Sequence, residues 1–466
     1  MKPLLREISL GYSAEEVYAL FAGEKNSVFL DSAMNVQKIG RYSFIGRDPF
    51  LIFTSKGNLI SMKDVEGRYT KEGNPFDILK EILYTYHTDR ISGFPPLTGG
   101  VIGYFGYDMG NLLETIPNMS STDYDLPECC VGFYDTVLIF DHYEHKTYIA
   151  STGFPEMDEG KRLCRAKCRI DELIELLKKA GPLAAPQQAI AKKKYTANFT
   201  KDSYCAIVQK AIDYIDAGDI FQVNLSQRFS ANLTVPPFEL YRYLRQINPA
   251  PFASYLNFAE VVVASASPER YLLLKDKILE TRPIKGTKPR GLDGESDKQL
   301  REELLNSEKD QAELVMIIDL ERNDLGRVCE YGSVRVPDLI RLEEYATVFH
   351  LVSTVTGRLT EGKNIMDAVQ ASFPGGSITG APKVRAMEII AECEPVKREI
   401  YTGSIGYIDF NGDADLNIVI RTFVIKGEQV HFQVGGAIVA DSVPELEYLE
   451  TLDKGRALMK ALGYKV

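Results

Sequence analysis

Residues 403–439 read "GSIGYIDFNGDADLNIVIRTFVIKGEQVHFQVGGAIV", three runs of alternating apolar and polar residues separated by Asn411-Gly412 and Lys426-Gly427. Alternation with a period of two marks a strand buried on one face, and Asn-Gly readily takes the positive backbone angles of a tight hairpin. The stretch predicts an antiparallel meander. Upstream, "DSYCAIVQKAIDYIDAG" (202–218) spaces its apolar residues for a helix that stops at Gly218, and "IFQVNLSQRF" (220–229) sets Phe221, Val223 and Leu225 against Gln222, Asn224 and Ser226. A helix feeding a half-buried strand is expected there. No strand–helix–strand alternation with a glycine fingerprint occurs, so the sequence favours an α+β protein, antiparallel sheets with helices packed outside, over a doubly wound fold.

The chain divides visibly once. "AGPLAAPQQAIAKKK" (180–194) combines Pro, Gly, Ala and a lysine run without an amphipathic period, which is linker composition. It separates an N-terminal region, 1–180, from a second region, 195–466. The first opens on a Ser13 to Glu16 capping box and continues with strand-like stretches such as "RYSFIG" (41–46) and "TVLIFDHYEHKTYIAS" (136–151). With 466 residues, 45% of them hydrophobic, a large core is possible, and the net charge of −11 disfavours a nucleic-acid or anionic-membrane surface. No apolar stretch of the length of a membrane span and no signal-peptide core are found, so a cytoplasmic location is expected. The seven scattered cysteines lack paired metal-ligand spacing and read as reduced core thiols.

Several side chains could carry chemistry. Asp310 and Glu313 stand three apart in "NSEKDQAELVMIIDLERND" (306–324), and Glu447 and Glu450 stand three apart in "DSVPELEYLETLDKG" (441–455), each pair on one helical face. Converging, the two faces would form an oxygen-only cation site suited to Mg²⁺ rather than zinc; taken alone, they are equally well solvated helix surface. Ser442 with Glu445 reads as a capping box for the second helix. The glycine-rich "FPGGSITGAPKVRAMEII" (373–390) is not a phosphate loop, because Lys383 falls two places late. It remains a loop entering a helix N-terminus, able to hold a carboxylate or simply to cap. Of five histidines only His350 lies in a strand-like apolar stretch, structural or poised for proton transfer. In "TRPIKGTKPRG" (281–291), Lys285 is a surface charge, an anion hook or a nucleophile; Arg282, Lys288 and Arg290 would depress its pKa if they crowd one pocket.

Together "TRPIKGTKPRG", "SASPERY" (265–271), "DIFQVNLSQRF", "DLERNDLGR" (319–327), "FPGGSITGAPK", "GSIGYIDF" and "DSVPELEYLET" resemble the signature stretches of the chorismate-utilising enzymes. The upstream "GGVIGYFGYDMG" (99–110) and "GRYSFIG" look like the N-terminal portion of that family, so the resemblance spans nearly the whole chain. It implies two large antiparallel β-sheets forming a sandwich with helices packed outside. It points to the aminating branches, anthranilate synthase component I and aminodeoxychorismate synthase component I. The anthranilate type usually has Pro-Ile-Ala-Gly-Thr where this chain has Pro283, Ile284, Lys285, Gly286 and Thr287, and Lys285 matches the nucleophilic lysine of the aminodeoxychorismate type.

The resemblance further implies Glu269 as the general acid, His350 as an active-site histidine, and Glu313 and Glu450 as direct Mg²⁺ ligands. Glu447 and Asp310 would belong to the outer metal shell, Asp310 standing where glutamate is common. Arg421, Lys454, Thr379, Tyr401, Gly435 and Gly436 match positions that hold the carboxylates and enolpyruvyl group of chorismate. Gln222 stands where the water-adding relatives have a general-base lysine. The implied reaction is Mg²⁺-dependent conversion of chorismate and ammonia to 4-amino-4-deoxychorismate, in the 4-aminobenzoate branch of folate synthesis, with ammonia delivered by a separate glutamine amidotransferase subunit. Anthranilate formation, and a non-catalytic scaffold that only holds chorismate, are the competing readings. "SVFLDSAMN" (27–35) is similar to a tryptophan-binding element, with Asp31 in place of the usual glutamate before Ser32; an ordinary strand and turn is the alternative.

Overall fold

The computed structural model describes residues 2–34, 39–117, 119–121, 124–190, 194–291, 293–344 and 348–465. Lys192 and Lys193 of the expected linker, Asn35 and Thr347 lie outside these. Among the described residues two sheets of twelve strands each account for the β-structure, and the ladders between their strands are all antiparallel. Three apolar clusters define the layers. One lies between the sheets, joining Val28, Phe44 and Leu256 of the first to Ile102, Tyr104 and Ile405 of the second. A second binds the outer face of the first sheet to helices Glu159–Leu177, Pro237–Ile247 and Pro444–Ala461, and a third covers the second sheet with Pro75–Thr85, Glu308–Gly326 and Ile365–Ser372. The α+β sandwich expected from the sequence is the observed fold, since each sheet has an apolar face on either side to cover.

Both sheets contain strands from either side of the linker. In the first, Ser27–Asp31 pairs with Phe252–Asn257; in the second, Gly100–Phe105 pairs with Ser404–Asp409. Residues 181–190 and 194–195 carry no helix or strand.

The C-terminal meander differs from its sequence reading. The middle run, 413–425, is two strands: Ala414–Asn417 completes a hairpin with Ser404–Asp409 in the second sheet, whereas Thr422–Lys426 pairs with Gln429–Ile438 in the first. Between them the chain changes sheet, and Arg421 takes φ +53°, a left-handed conformation uncommon outside glycine. Alternation holds only from Asp413 to Ile418; the apolar runs Ile418–Ile420 and Phe423–Ile425 that follow carry no break to mark the crossing. A second crossing lies alongside, from Val262–Ser267 in the first sheet to Arg270–Lys275 in the second. Backbone bonds tie the two together: Ile418 donates to Glu269 O at 3.0 Å and Ala266 to Arg421 O at 3.1 Å.

Local expectations fare unevenly. The Ser13–Glu16 capping box forms, and helix Lys201–Asp216 ends before Gly218 at φ +82°. Strand Gln222–Asn232 is not half-exposed: Gln222 and Ser226 are as buried as Val223 and Leu225, because the polar face turns inward, and Phe221 is exposed instead. Helix Pro444–Ala461 starts at Val443 without a side-chain cap, and Ser442 Oγ donates to Glu447 Oε1 at 2.7 Å rather than boxing Glu445. Cys164 and Cys168 are not core thiols but exposed, one turn apart on the solvent side of Glu159–Leu177.

Candidate active site

The two sheet crossings place Glu269 and Arg421 side by side, and strand Ile284–Pro289 brings Lys285 to them. The amide of Ile284 approaches Glu269 Oε1 at 3.5 Å, and Glu269 is 6% exposed. Burial pushes the Glu269 carboxyl above the usual range, against the pull of Ser377, Lys285 and Arg421. At Gly286 the pairing with Val348–Arg358 slips, and its φ of +70° suits a residue without a side chain. A methyl group there would meet Asp310 Cγ at 2.9 Å, so Asp310 packs against the bend that presents Lys285.

Lys285 has an ammonium lowered below its ordinary value, and the cause is not the one its sequence neighbours suggest. Arg282 is paired with Glu343, Arg290 with Asp297 and Lys288 with Glu303, because bends at Pro283 and Gly286 turn these cations away. Burial lowers Lys285 most; Glu313 opposes it, Lys454 adds to it, and Glu269 and Glu450 oppose it more weakly. Those causes place Lys285 among one carboxyl from the crossing, two from the helices and a lysine. His350 is buried opposite Thr287, its Nδ1 2.8 Å from Thr287 Oγ1, and burial together with Arg421 pushes it down to about 3. Its imidazole is therefore neutral near pH 7. The guanidinium of Arg421 has no hydrogen bond or ion pair with a described side chain and is lowered by burial, a cation held ready for an anion.

The acidic helix faces do converge on this point. Helix Glu308–Gly326 brings Glu313, and Pro444–Ala461 brings Glu447 and Glu450 under Gly436, where a methyl group would stand 3.1 Å from Glu450 Oε1 and 3.3 Å from Glu447 Oε2. Burial raises Glu313 and Glu447; for Glu450 burial is outweighed by Lys454, Lys309 and Lys285, which hold it low. Lys454 bonds Glu450 at 2.6 Å and Gly435 O at 3.0 Å. Among the described residues no three metal-ligating side chains stand in coordinating geometry. The donor set nonetheless fits an oxygen-liganded divalent cation: the carboxylates adjoin, and Glu447 Oε2 is buried without a partner.

The glycine-rich stretch forms a short turn, Gly376–Ile378, and a two-residue strand before helix Lys383–Cys393. Lys383 is spent on Asp324 and Ser372 O, both at 2.6 Å, so it is not an anion hook. Thr379 is buried with its hydroxyl donating to Gly375 O at 3.0 Å, and Asn224 Nδ2 holds Ser377 O at 2.9 Å. Gln222, on the same face of its strand as Asn224, is fully buried with both amide atoms unpartnered. Tyr401 packs at 5.7 Å from the Arg398 guanidinium. Sequence reasoning passed over Ser377, Asn224, Arg398 and the buried Glu321; Ser377 lay inside a stretch already singled out.

A cavity of about 1250 Å³ lies elsewhere, between the sheets, and neither Lys285 nor Glu269 lines it. Catalysis needs converging reactive groups more than volume, so the crossing is the candidate site. Asp31 and Ser32 do line that cavity, but Asp31 already accepts from Tyr241 at 2.9 Å, Ser43 at 3.2 Å and Arg245, and Ser32 Oγ donates to Tyr42 O at 2.7 Å.

Residues 26–460 match the family model described as chorismate binding enzyme. The chain is 42% identical over 436 residues to anthranilate synthase component 1 of Thermus thermophilus, covering 93% of this chain and 92% of that protein. It is 39% identical over 445 residues to aminodeoxychorismate synthase component 1 of Bacillus subtilis, covering 95% and 93%. The crystal structure of anthranilate synthase component I from Streptococcus pneumoniae superposes with a TM-score of 0.78 at 32% identity, covering 91% of this chain and 93% of that one.

Proposed function

The chain belongs to the chorismate binding enzyme family, and on that premise we propose that it converts chorismate and ammonia to 4-amino-4-deoxychorismate. The observation that carries this reading is Lys285, an amine lowered by burial beside a carboxyl, Glu269, raised by burial. An amine must be neutral to attack and an acid must hold its proton to donate it, and both shifts run in the required direction.

Lys285 Nζ forms a bond to carbon 2 of the ring and loses a proton as both ring double bonds shift and the bond from carbon 4 to its hydroxyl breaks. Glu269 gives that hydroxyl a proton, so it departs as water. Ammonia then attacks carbon 4, the bond to Lys285 breaks, and the pyruvyl group stays in place. Splitting one hard substitution into two easier ones is the benefit of a covalent route. Arg421 and Lys454 bind carboxylates of the substrate, Thr379, Tyr401 and the backbone of Gly435 and Gly436 shape its pocket, and neutral His350 orients without contributing charge. Glu313 and Glu450, with Glu447 and Asp310 behind them, would hold Mg²⁺, which neutralises a substrate carboxylate in an acidic protein. Gln222 supplies no base for water, in keeping with amination. Ammonia comes from a separate glutamine amidotransferase subunit, and the reaction proceeds in the cytoplasm.

The anthranilate reading draws support from the Thermus thermophilus relative, whose identity is comparable to that of the Bacillus subtilis one. Mass spectrometry of the product from chorismate, Mg²⁺ and ammonium separates the two. Aminodeoxychorismate is expected; anthranilate with release of pyruvate would overturn the proposal, and no turnover would leave only a chorismate-holding scaffold. Tryptophan at Asp31 and Ser32 is a separate proposal, and a calorimetric titration without heat would dismiss it.

A further inference from the structure

We propose that Arg398, clamped by Glu394, is a positioning residue that sets the substrate-binding edge of the site, a role resting on the placement of chorismate against Thr379 and Tyr401 proposed above. Both members of the pair are 3% exposed. Arg398 Nε and Nη2 bond the two oxygens of Glu394 at 2.9 and 2.7 Å, a fork on a fork. Its other donors go to three separate pieces of chain: Nη1 to Ile378 O at 3.1 Å and Thr402 Oγ1 at 3.3 Å, and Nη2 to Asn224 O at 2.7 Å. All five guanidinium hydrogens are thereby used.

Each piece so held carries a group of the site. Ile378 precedes Thr379; Asn224 holds Ser377 O in the same turn as Thr379; Thr402, at φ +59°, follows Tyr401 and donates to its carbonyl at 2.6 Å. The guanidinium also lies 4.9 Å from the Tyr107 ring and 5.7 Å from the Tyr401 ring. Glu394 extends the clamp by accepting from Ser226 N at 2.8 Å and Ser226 Oγ at 2.9 Å. Lysine, with a compact ammonium and three donors, cannot reproduce this planar fork. A small cavity of about 30 Å³ borders Arg398 between Tyr107, Met387 and Ser120 and includes the exposed Met119.

The test measures chorismate KM, kcat and melting temperature for Arg398→Lys, Glu394→Gln and Arg398→Ala, the last with and without guanidinium at non-denaturing concentration. Displacing groups that bind substrate and transition state alike raises KM and spares kcat, so about a tenfold or larger rise in KM is expected for each folded variant. Guanidinium, but not methylammonium, should restore the KM of Arg398→Ala. Should that variant fail to fold, Arg398→Lys and Glu394→Gln still decide. An unchanged KM with only a lower melting temperature, or equal losses in kcat and kcat/KM, overturns the role. Anthranilate as the wild-type product would overturn the assignment of the reaction and leave the KM comparison intact.

Discussion

Glu450 Oε1 lies 2.6 Å from Lys454 Nζ, one turn along the same helix, so an acid proposed to hold a divalent cation is neutralised by its own neighbour. The same Lys454 lowers the amine of Lys285. On the proposed function, Glu450 as a cation ligand would no longer be neutralised by Lys454, and Lys454 would be released for a substrate carboxylate; metal and substrate binding would then be coupled through this pair.

Metal dependence follows from that exchange. Glu313→Gln and Glu450→Gln should each lose most activity without unfolding, since acids gathered around a missing cation repel one another. Mg²⁺ should raise the melting temperature of the wild type and fail to raise that of the doubly substituted protein. Wild-type activity in excess chelator would show these acids to be helix surface only.

Gly436→Ala probes the same acids from beneath. The added methyl would stand 3.1 Å from Glu450 Oε1 and 3.3 Å from Glu447 Oε2, both the ends of flexible side chains. The fold should persist while the carboxylates shift, and activity should fall roughly ten- to a hundredfold, as for other small misplacements of catalytic groups. Circular dichroism and turnover at saturating Mg²⁺ check both halves of the expectation.

Two buried groups give opposite pH signatures. Burial, reinforced by Asp324, pushes the Glu321 carboxyl up to about 8 from an ordinary value of 4.5. Between those values the folded state binds more protons, so this group withdraws stability as pH rises from 4.5 to 8. His350, pushed down from 6.5 to about 3, withdraws stability as pH falls through 6.5. Glu321→Gln should therefore melt higher than the wild type at pH 8.5 and nearly alike at pH 5. An equal shift at both values would show that Glu321 does not titrate in this range.

Part of the fold could be read from sequence: in Gln429–Ile438 Val430, Phe432 and Val434 alternate with His431 and Gln433, although His431 and Gln433 turn out buried as well, and Thr136–Asp141 is an apolar run buried on both faces. The sheet crossings could not. Residues 418–425 are mostly apolar as the chain passes from one sheet to the other, with no Gly or Pro between them, and the left-handed Arg421 marks the turn only in the structure. Residues of the candidate site stand out in the sequence where a motif surrounds them, and the fold brings Glu269, Lys285 and Glu450 near one another. The origin of the Lys285 shift was not legible, since it depends on which cations face inward: Arg282, Lys288 and Arg290 all find acids elsewhere, while Lys454 arrives from more than a hundred residues away. Arg398 escaped notice for a related reason: Glu394 is four residues away, but its partners at 224 and 378 meet it only in the folded chain.

The nucleophile remains the sharpest test. If Lys285 attacks carbon 2, Lys285→Ala should form no lysine adduct and lose aminodeoxychorismate formation, yet still bind chorismate, because Arg421, Lys454 and the metal do not use its amine. Its removal leaves a small side chain where the anthranilate type has one, so ammonia can reach carbon 2 directly. Residual product should then shift toward 2-amino-2-deoxyisochorismate or anthranilate. Were Lys285 only an anion hook, the same variant would raise KM and leave kcat and product identity nearly intact. Incubating the wild type with chorismate and no ammonia, then mapping the peptides, reads the bond itself: a mass increase on the peptide containing Lys285 is expected. An adduct on another residue, or a Lys285→Ala protein making aminodeoxychorismate at full kcat, rules the covalent role out.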